Sequence, residues 1–133
     1  MKSSILIIDD SLTVRQQVAA ILIAVGYEVI QACDGLAGLE AVRANPGVAM
    51  ILCDVNMPHM GGLEFLEKFK GENIRQTPVV MLTTEGSPDL LVRAKRSGAR
   101  GWIVKPFRPD LLSDAVRRMV GAPAGSSAGN SGS

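Results

Sequence analysis

Five short apolar runs alternate with segments of helical periodicity, and this alternation constrains the fold more than any other feature of the chain. Most of the runs are continuous in apolar, often β-branched residues, which is typical of strands covered on both faces. The intervening segments carry apolar residues three and four positions apart, as on one side of a helix. Strands that alternate with helices predict an α/β fold with a parallel sheet and right-handed crossovers. The predicted strands are residues 5–8, 27–32, 48–53, 79–82 and 101–104, of which the second and the last are expected to be the sheet edges.

The helices are predicted from their ends and from their apolar positions. Ser11 and Asp34 are suitable N-caps for the first two helices, and Gly26 is a suitable terminator of the first. Ser87-Pro88-Asp89 combines a cap, a proline at the first helical position and an acid in the first turn. The apolar positions are Val14, Val18, Ile21, Leu22 and Val25 in the first helix and Leu63, Leu66 and Phe69 in the third, and the inward-facing positions are expected to be Leu36, Leu39 and Val42 in the second and Leu111, Leu112, Ala115, Val116 and Met119 in the last.

The composition indicates one domain of ordinary size. The chain has 133 residues, of which 47% are hydrophobic, and a formal net charge of +1. That charge gives no reason to expect direct binding to nucleic acid or to a membrane. No apolar run approaches the ~20 residues of a membrane span, and the first residues lack the pattern of a signal peptide. We therefore expect a cytoplasmic protein in which Cys33 and Cys53 are reduced and mostly buried.

Charge and composition change along the chain. Residues 1–86 contain six Lys and Arg against ten Asp and Glu, and residues 87–133 contain eight against three. One part of the surface is therefore expected to be basic. Residues 121–133 contain no charged or large apolar side chain, which predicts a flexible tail or a truncated linker after a domain of residues 1–120.

Four of the predicted strands end in chemically reactive side chains. Asp9-Asp10 follows the first strand, Asp54 the third, Thr83-Thr84 the fourth and Lys105 the fifth. Because the carboxyl ends of parallel strands meet at one edge of a sheet, these groups are expected to converge. Asp54 is then a candidate nucleophile for a phosphoryl group, since carboxylates form acyl phosphates. The other carboxylates are suitable ligands for Mg²⁺, and an ammonium and a hydroxyl can offset phosphoryl charge.

These residues are similar to the motifs of the receiver domain of bacterial two-component response regulators, above all to the single-domain chemotaxis type. The resemblance covers about residues 4–120 and rests on Asp9-Asp10, Asp54 with Asn56-Met57-Pro58, Thr83, and Lys105-Pro106-Phe107. It implies a flavodoxin-like, doubly wound (βα)5 sheet with the strand order 2-1-3-4-5. It also implies a phosphorylation-activated receiver in which Asp54 accepts a phosphoryl group from a sensor histidine kinase or phosphotransfer protein.

The resemblance further implies the ligands of the metal ion and the residues that control the phosphorylated state. Mg²⁺ is implied to bind to Asp9, Asp10, Asp54 and the backbone carbonyl of Asn56. Asn56 and Glu85 occupy the two positions that tune access of water to the acyl phosphate in the family. This pair is similar to that of the chemotaxis regulators, which implies a short-lived phosphorylated state and some autodephosphorylation.

A conformational switch is also implied by the resemblance. Thr83 is expected to move toward the phosphoryl group, and an aromatic side chain on the last strand is expected to turn inward. The face of the fourth helix, fifth strand and fifth helix would then change shape for an unknown downstream protein. Trp102 occupies the aromatic position, where many relatives carry tyrosine or phenylalanine, and its larger ring predicts an incomplete rotation. A solvated face and an acidic partner are both open for the basic residues Arg93, Lys95, Arg96, Arg100 and Arg108.

Other functions are compatible with parts of the pattern. An aspartyl-phosphate hydrolase of the haloacid-dehalogenase type places a second acid where this chain has Asn56. A flavin or nucleotide site needs a hydroxyl- or glycine-rich loop after the first strand, where Asp9-Asp10 would repel phosphate in the absence of a metal ion. The chain could also be the regulatory half of a longer protein with an output domain, although Leu111 and Ala115 replace the acid and arginine used for dimerisation by such relatives. The single histidine, His59, is expected to be a solvated loop residue.

Overall fold

A computed structural model describes residues 2–57, 59–73, 75–84 and 88–121 of the chain. Within these residues, five strands alternate strictly with five helices, as the apolar pattern predicts. None of the described helices is both long enough and apolar enough to cross a membrane. In chain order, the elements are β1 (Ser4–Ile8), α1 (Leu12–Ala24), β2 (Glu28–Ala32), α2 (Gly35–Ala44), β3 (Met50–Asp54), α3 (Gly62–Lys70), β4 (Val79–Thr83), α4 (Pro88–Arg96), β5 (Gly101–Val104) and α5 (Pro109–Val120).

The strands form one parallel sheet in the order β2-β1-β3-β4-β5. The predicted fold class, the strand order 2-1-3-4-5 and both predicted edge strands are therefore confirmed. β3 lies at the centre of the sheet, and all five of its residues are buried. The carboxyl end of β3 consequently lies in the middle of the sheet edge where open α/β sheets bind their ligands.

The core has two parts because successive side chains of a strand point to opposite faces of the sheet. On β1, Leu6 and Ile8 belong to a buried cluster with inner residues of α2 and α3. The intervening residues Ile5 and Ile7 belong to a second cluster with inner residues of α1 and α5. Both faces of the sheet are thus covered by helices, which explains why its strands are continuously apolar.

The predicted caps of the first two helices are present. The Ser11 hydroxyl accepts a hydrogen bond from the backbone N–H of Val14 at 3.3 Å. The Asp34 carboxylate accepts one from the N–H of Ala37 at 2.8 Å. Each bond satisfies a donor that the first turn of a helix leaves without a partner. Ser87, the cap predicted for the fourth helix, lies outside the described residues.

Some element boundaries differ from the predictions by one or two residues. α1 ends at Ala24, so Val25 is its C-cap and is 37% exposed rather than part of the apolar side. Gly26 follows with a φ of 106°, in the left-handed region that glycine adopts without a Cβ clash. β3 begins at Met50 and includes Asp54, which makes Asp54 the last residue of a buried strand.

The predicted inner side of α2 is wrong at Leu36, which is 53% exposed. Leu39 and Val42 are buried as predicted, and Gly38 completes the inner side. A Cβ atom on Gly38 would lie 2.5 Å from Cδ1 of Ile8, so the helix lies too close to the sheet at this position to leave room for a side chain. Apolar periodicity marks large residues, and for this reason it selected Leu36 instead of the glycine.

The predicted inner side of α5 is wrong at Leu111 and Met119, which are 55% and 37% exposed. Leu112 and Val116 are fully buried, and Ala115 packs against the same cluster. The buried stripe of α5 is therefore narrower than its apolar stripe, and the extra apolar residues lie at the surface. In α3, Phe65 is fully buried and stacks on Phe69, although it was not among the predicted positions.

The two cysteines differ in their environment. Both are free thiols, and Cys53 is buried as predicted, but Cys33 is exposed, which contradicts its predicted burial. Cys33 lies just beyond the end of β2, an edge strand, where the chain turns toward α2. Burial raises the pKa of the Cys53 thiol well above its ordinary value, so the thiol beside Asp54 is neutral and not a competing nucleophile.

Candidate functional site

The register of the sheet places two of the predicted acids side by side. Ile8 of β1 is paired with Cys53 of β3. The next residues, Asp9 and Asp54, therefore stand at the same level on neighbouring strands. Asp9 is fully buried, and Asp54 is 6% exposed. Two acids that are distant in the chain thus meet because a parallel register brings their strand ends together.

The ends of β4 and β5 supply the hydroxyl and the ammonium. Thr83 is the last residue of β4 and lies one position beyond the residue paired with Asp54. The backbone N–H of Lys105 donates to the carbonyl oxygen of Thr83 at 2.7 Å. Thr83 is 1% exposed, so it is buried at the carboxyl end of β4.

Lys105 links the two buried acids. Its Nζ atom lies 2.8 Å from Oδ2 of Asp9 and 3.3 Å from Oδ1 of Asp54. The Lys105 side chain is 14% exposed. Burying a charge is costly unless it is paired, and these two contacts pair the ammonium with both carboxylates.

Asp9 is held from several directions. Its Oδ1 atom accepts the backbone N–H of Ser11 at 2.9 Å, while its Oδ2 atom accepts from Lys105. Its own backbone N–H donates to Ala32 at 3.0 Å, and its carbonyl oxygen accepts from Nη1 of Arg15 at 2.7 Å. These bonds fix both the backbone and the carboxylate of Asp9.

Three carboxylates form a compact acidic cluster at this edge of the sheet. One oxygen of each of Asp9, Asp10 and Asp54 lies within 4.8 Å of the others, and Asp10 is the exposed member. Lys105 brings one positive charge to three negative charges, so the cluster keeps an excess of negative charge. Carboxylate oxygens at this spacing suit a hard divalent cation such as Mg²⁺, whose charge would balance the excess.

The pKa values of the site follow from burial and from this charge excess. Burial raises the pKa of Asp54 above its ordinary value, and the charges of Asp9 and Asp10 act in the same direction, whereas Lys105 opposes them. For Lys105, burial acts to lower the pKa, but the hydrogen bond to Asp9 and the charges of Asp54 and Asp9 outweigh it and raise the pKa. Lys105 is therefore a permanent cation at neutral pH.

Three further predicted residues lie on the loop after β3 and on β5. Asn56 is exposed, two residues after Asp54 in the loop that leads to α3, and Trp102 of β5 is 43% exposed. His59 is a solvated loop residue as expected, with a 79% exposed side chain whose Nδ1 lies 3.6 Å from Asp34. Glu85 lies outside the described residues.

A cavity of about 580 Å³ opens beside the acidic cluster, between α1 and the chain that leads from β5 to α5. Lys105, which contacts two acids of the cluster, also lines the cavity, as does Thr84. The rest of the lining is mostly apolar and includes Ile21, Phe107 and Pro109. On this side, the site is consequently flanked by a mostly apolar surface.

Two residues of the site had no predicted role. A Cβ atom on Gly62 would overlap the backbone oxygen of Asp54, so only glycine lets α3 begin this close to the end of β3. The Gly61-Gly62 pair after the Asp54 loop was the sequence feature that could have indicated this close approach. Arg15 binds the carbonyl of Asp9, and its position on a predicted helix gave no signal of that contact.

Comparison with known proteins agrees with this geometry. The family model described as the response regulator receiver domain matches residues 5–117 of the chain. The chain belongs to the response regulator receiver domain family. The resemblance inferred from the strand-end residues is thereby confirmed.

The chemotaxis proteins are similar to this receiver over nearly their whole length. Chemotaxis protein CheY1 of Helicobacter pylori strain J99 is 34% identical over 119 residues, which cover 88% of this chain and 96% of that protein. The chemotaxis protein CheY homolog of Campylobacter jejuni is 32% identical over 126 residues, with coverages of 93% and 97%. The structure of Vibrio cholerae chemotaxis protein CheY4 is 39% identical and has a TM-score of 0.84, covering 90% of this chain and 99% of its own.

This receiver is therefore of the CheY type, and its function is in phosphorylation-activated two-component signalling. It is a signalling domain, and receivers of this type interact with histidine kinases and with downstream targets. The acidic cluster of Asp9, Asp10 and Asp54 is present where receiver domains generally bind Mg²⁺.

Proposed function

We propose that Asp54 is the phosphoryl acceptor of this receiver and that a phosphohistidine of a sensor kinase or phosphotransfer protein is the donor. The P–N bond to the donor imidazole breaks as a P–O bond to a carboxylate oxygen of Asp54 forms. The observation that carries the proposal is the convergence of three carboxylates within 4.8 Å with Lys105 bonded to two of them. Asp54 ends the central strand β3, so a group that reaches its carboxylate also meets the ends of the neighbouring strands β1 and β4.

The charges around Asp54 have complementary roles in this proposal. Asp9, Asp10, Asp54 and the backbone carbonyl of Asn56 would hold Mg²⁺, since all four offer oxygen ligands. When bound, Mg²⁺ supplies positive charge that offsets the repulsion between the carboxylates and the phosphoryl oxygens. Lys105 supplies a further positive charge, because its ammonium is already paired with Asp9 and Asp54.

Thr83 and Trp102 are proposed to carry the signal from the acceptor to the surface. The Thr83 hydroxyl would donate a hydrogen bond to a phosphoryl oxygen, and Trp102 would turn toward the space that Thr83 leaves. The α4-β5-α5 face then changes shape for a downstream protein. This face already exposes Trp102, Val104 and Leu111, and its basic side chains suit a partner that carries acidic residues.

Asn56 and Glu85 are proposed to tune the lifetime of the phosphorylated state. Both are polar residues placed after the strands that carry Asp54 and Thr83. Such side chains can admit and orient water at the acyl phosphate, so we expect autodephosphorylation and a short-lived signal. Persistence of the phosphoprotein for hours in Mg²⁺ would contradict this part of the proposal.

The receiver unit is proposed to comprise residues 1–120. The family match ends at residue 117, and α5 ends at Val120. The proposed tail, residues 121–133, lies outside the described residues except for Gly121. We infer a cytoplasmic location because the two cysteines are free thiols, as is usual in reducing compartments.

A labelling experiment tests the central proposal. The wild-type protein is incubated with radiolabelled acetyl phosphate, with and without Mg²⁺, beside Asp54→Asn and the matched surface variant Asp114→Asn. Wild type and Asp114→Asn should incorporate label only with Mg²⁺, and Asp54→Asn should incorporate none. Equal labelling of Asp54→Asn and wild type would exclude Asp54 as the acceptor. Labelling that is unchanged by EDTA would remove Mg²⁺ from the proposal.

A further inference from the structure

Arg15 connects the acidic turn after β1 to the edge strand β2. Its Nη1 atom donates to the carbonyl oxygen of Asp9 at 2.7 Å, and its Nε atom donates to Oε1 of Gln31 at 3.2 Å. Gln31 lies on β2, the strand paired with β1. The guanidinium of Arg15 thus binds the peptide group between Asp9 and Asp10, while Gln31 fixes the orientation of the guanidinium.

We propose that Arg15 is a positioning residue for the metal site. The inference rests on the proposed Mg²⁺ site and adds a residue that acts through the backbone. The Asp9 carboxylate is held separately by Ser11 and Lys105, whereas Asp10 is exposed. The direction of the Asp10 carboxylate therefore depends strongly on the Asp9–Asp10 peptide plane, which Arg15 fixes.

A positioning role and a purely electrostatic role of Arg15 predict opposite changes in Mg²⁺ affinity when Arg15 is removed. A guanidinium beside a cation site repels the cation, so its loss should strengthen Mg²⁺ binding. Loss of a group that orients a metal ligand instead weakens metal binding, typically 10–100-fold. The sign of the change in Mg²⁺ affinity therefore separates a positioning role from a purely electrostatic one.

Three substitutions test the two bonds of Arg15. Arg15→Ala removes both bonds and the charge, and Gln31→Ala removes only the orienting partner. Arg15→Lys keeps the charge, but an ammonium cannot reproduce the two directed bonds of the guanidinium fork. We expect Mg²⁺ affinity to fall about 10-fold in Arg15→Ala, and to fall less in the other two. Calorimetric titration of the unphosphorylated protein with MgCl2 at constant ionic strength measures this. Unchanged or tighter binding by Arg15→Ala would overturn the proposal.

Arg43→Ala is the matched control. Arg43 also makes two directed bonds, to Glu72 at 3.0 and 2.6 Å, but it lies in the last turn of α2, away from the acidic cluster. This variant should bind Mg²⁺ as wild type does, and an equal loss in Arg43→Ala would show that the effect is not specific to the site. Thermal unfolding in EDTA checks that each variant is folded.

Acetyl phosphate labelling supplies a second readout. If Arg15 acts on metal affinity, the slower labelling of Arg15→Ala should return toward the wild-type rate as Mg²⁺ is raised to saturation. A rate that stays low at saturating Mg²⁺ would contradict positioning of the metal ligands.

Asp10→Asn distinguishes failure of this inference from failure of the proposed function. Wild type that binds no Mg²⁺, or Asp10→Asn that binds it equally well, would contradict the metal site itself. A loss in Asp10→Asn with no loss in Arg15→Ala would leave the site in place and overturn only the role of Arg15.

Discussion

β3 and β5 belong to the same sheet but differ in their exposure to solvent. All five residues of β3 are buried, and the strand ends in Asp54. In β5 only Ile103 is buried, while Trp102 and Val104 are 43% and 47% exposed. The difference follows from strand order, because β3 is covered on both sides and both edges and β5 is the last strand of the sheet.

In the proposed function, this difference separates the two tasks of the receiver. At the end of β3, burial and neighbouring acids raise the pKa of Asp54 despite the opposing charge of Lys105, so the ionised carboxylate remains destabilised until a further positive charge binds. At β5, apolar side chains stay at the surface, where a partner protein can cover them. The centre of the sheet is thus suited to chemistry and its edge to recognition.

The largest expected effect concerns core packing. Leu52→Ala on β3 should lower the free energy of unfolding by about 2–5 kcal/mol, because Leu52 is fully buried and the change leaves a cavity. Val104→Ala on β5 should change it by less than about 0.5 kcal/mol, since Val104 is half exposed. Urea denaturation of both variants measures the contrast. Similar losses would mean that β5 contributes as much to the core as β3 does.

A second contrast uses one glycine from each region. In Gly62→Ala the new Cβ would overlap the backbone oxygen of Asp54 and approach Met81 Cε to 2.9 Å, so stability should fall by about 1–3 kcal/mol. In Gly101→Ala on β5 no atom beyond the two adjacent residues lies within 4 Å of the new Cβ, and stability should stay the same or rise slightly. Thermal unfolding midpoints decide this. A tolerated Gly62→Ala would show that α3 can move away from the site.

The same contrast explains what the sequence predicts well. Continuous apolar runs specify buried strands, and a reactive residue directly after such a run, as with Asp54 or Lys105, must lie at the carboxyl edge of the sheet. The fold class and the convergence of Asp9, Asp54 and Lys105 could therefore be predicted, since each follows from local pattern and parallel topology.

Features that depend on close approach or on long side chains could not be predicted in this way. Apolar periodicity selected Leu36 for the core of α2, whereas the close contact with the sheet is made at Gly38. It also selected Leu111, which lies outside the narrow buried stripe of α5 and is exposed. The contact of Arg15 with the Asp9 carbonyl depends on the path of a flexible side chain, which residue spacing does not encode.

A smaller effect tests the electrostatic half of the comparison. Because the folded-state pKa of Asp54 is raised above its ordinary value of 3.8, the ionised carboxylate destabilises the metal-free fold. This penalty is absent below the unfolded pKa and complete above the folded one. Asp54→Asn in EDTA should therefore unfold at a higher temperature than wild type at pH 7, and the difference should shrink as the pH falls toward 3.8. Asp114→Asn on α5, whose carboxylate is half exposed, should show little change.

The smallest expected effect connects the two regions. Trp102 is the only tryptophan, so its fluorescence reports on β5 alone. If phosphorylation at the end of β3 turns the indole inward, its emission should shift to shorter wavelength when acetyl phosphate and Mg²⁺ are added. The shift should be small, because the large ring of Trp102 is expected to rotate incompletely from its half-exposed position.

Two variants test the route of this change. Asp54→Asn should abolish the shift, and Thr83→Ala should reduce it because that variant lacks the hydroxyl proposed to move. A full shift in Thr83→Ala would mean that the centre and the edge of the sheet communicate by another route.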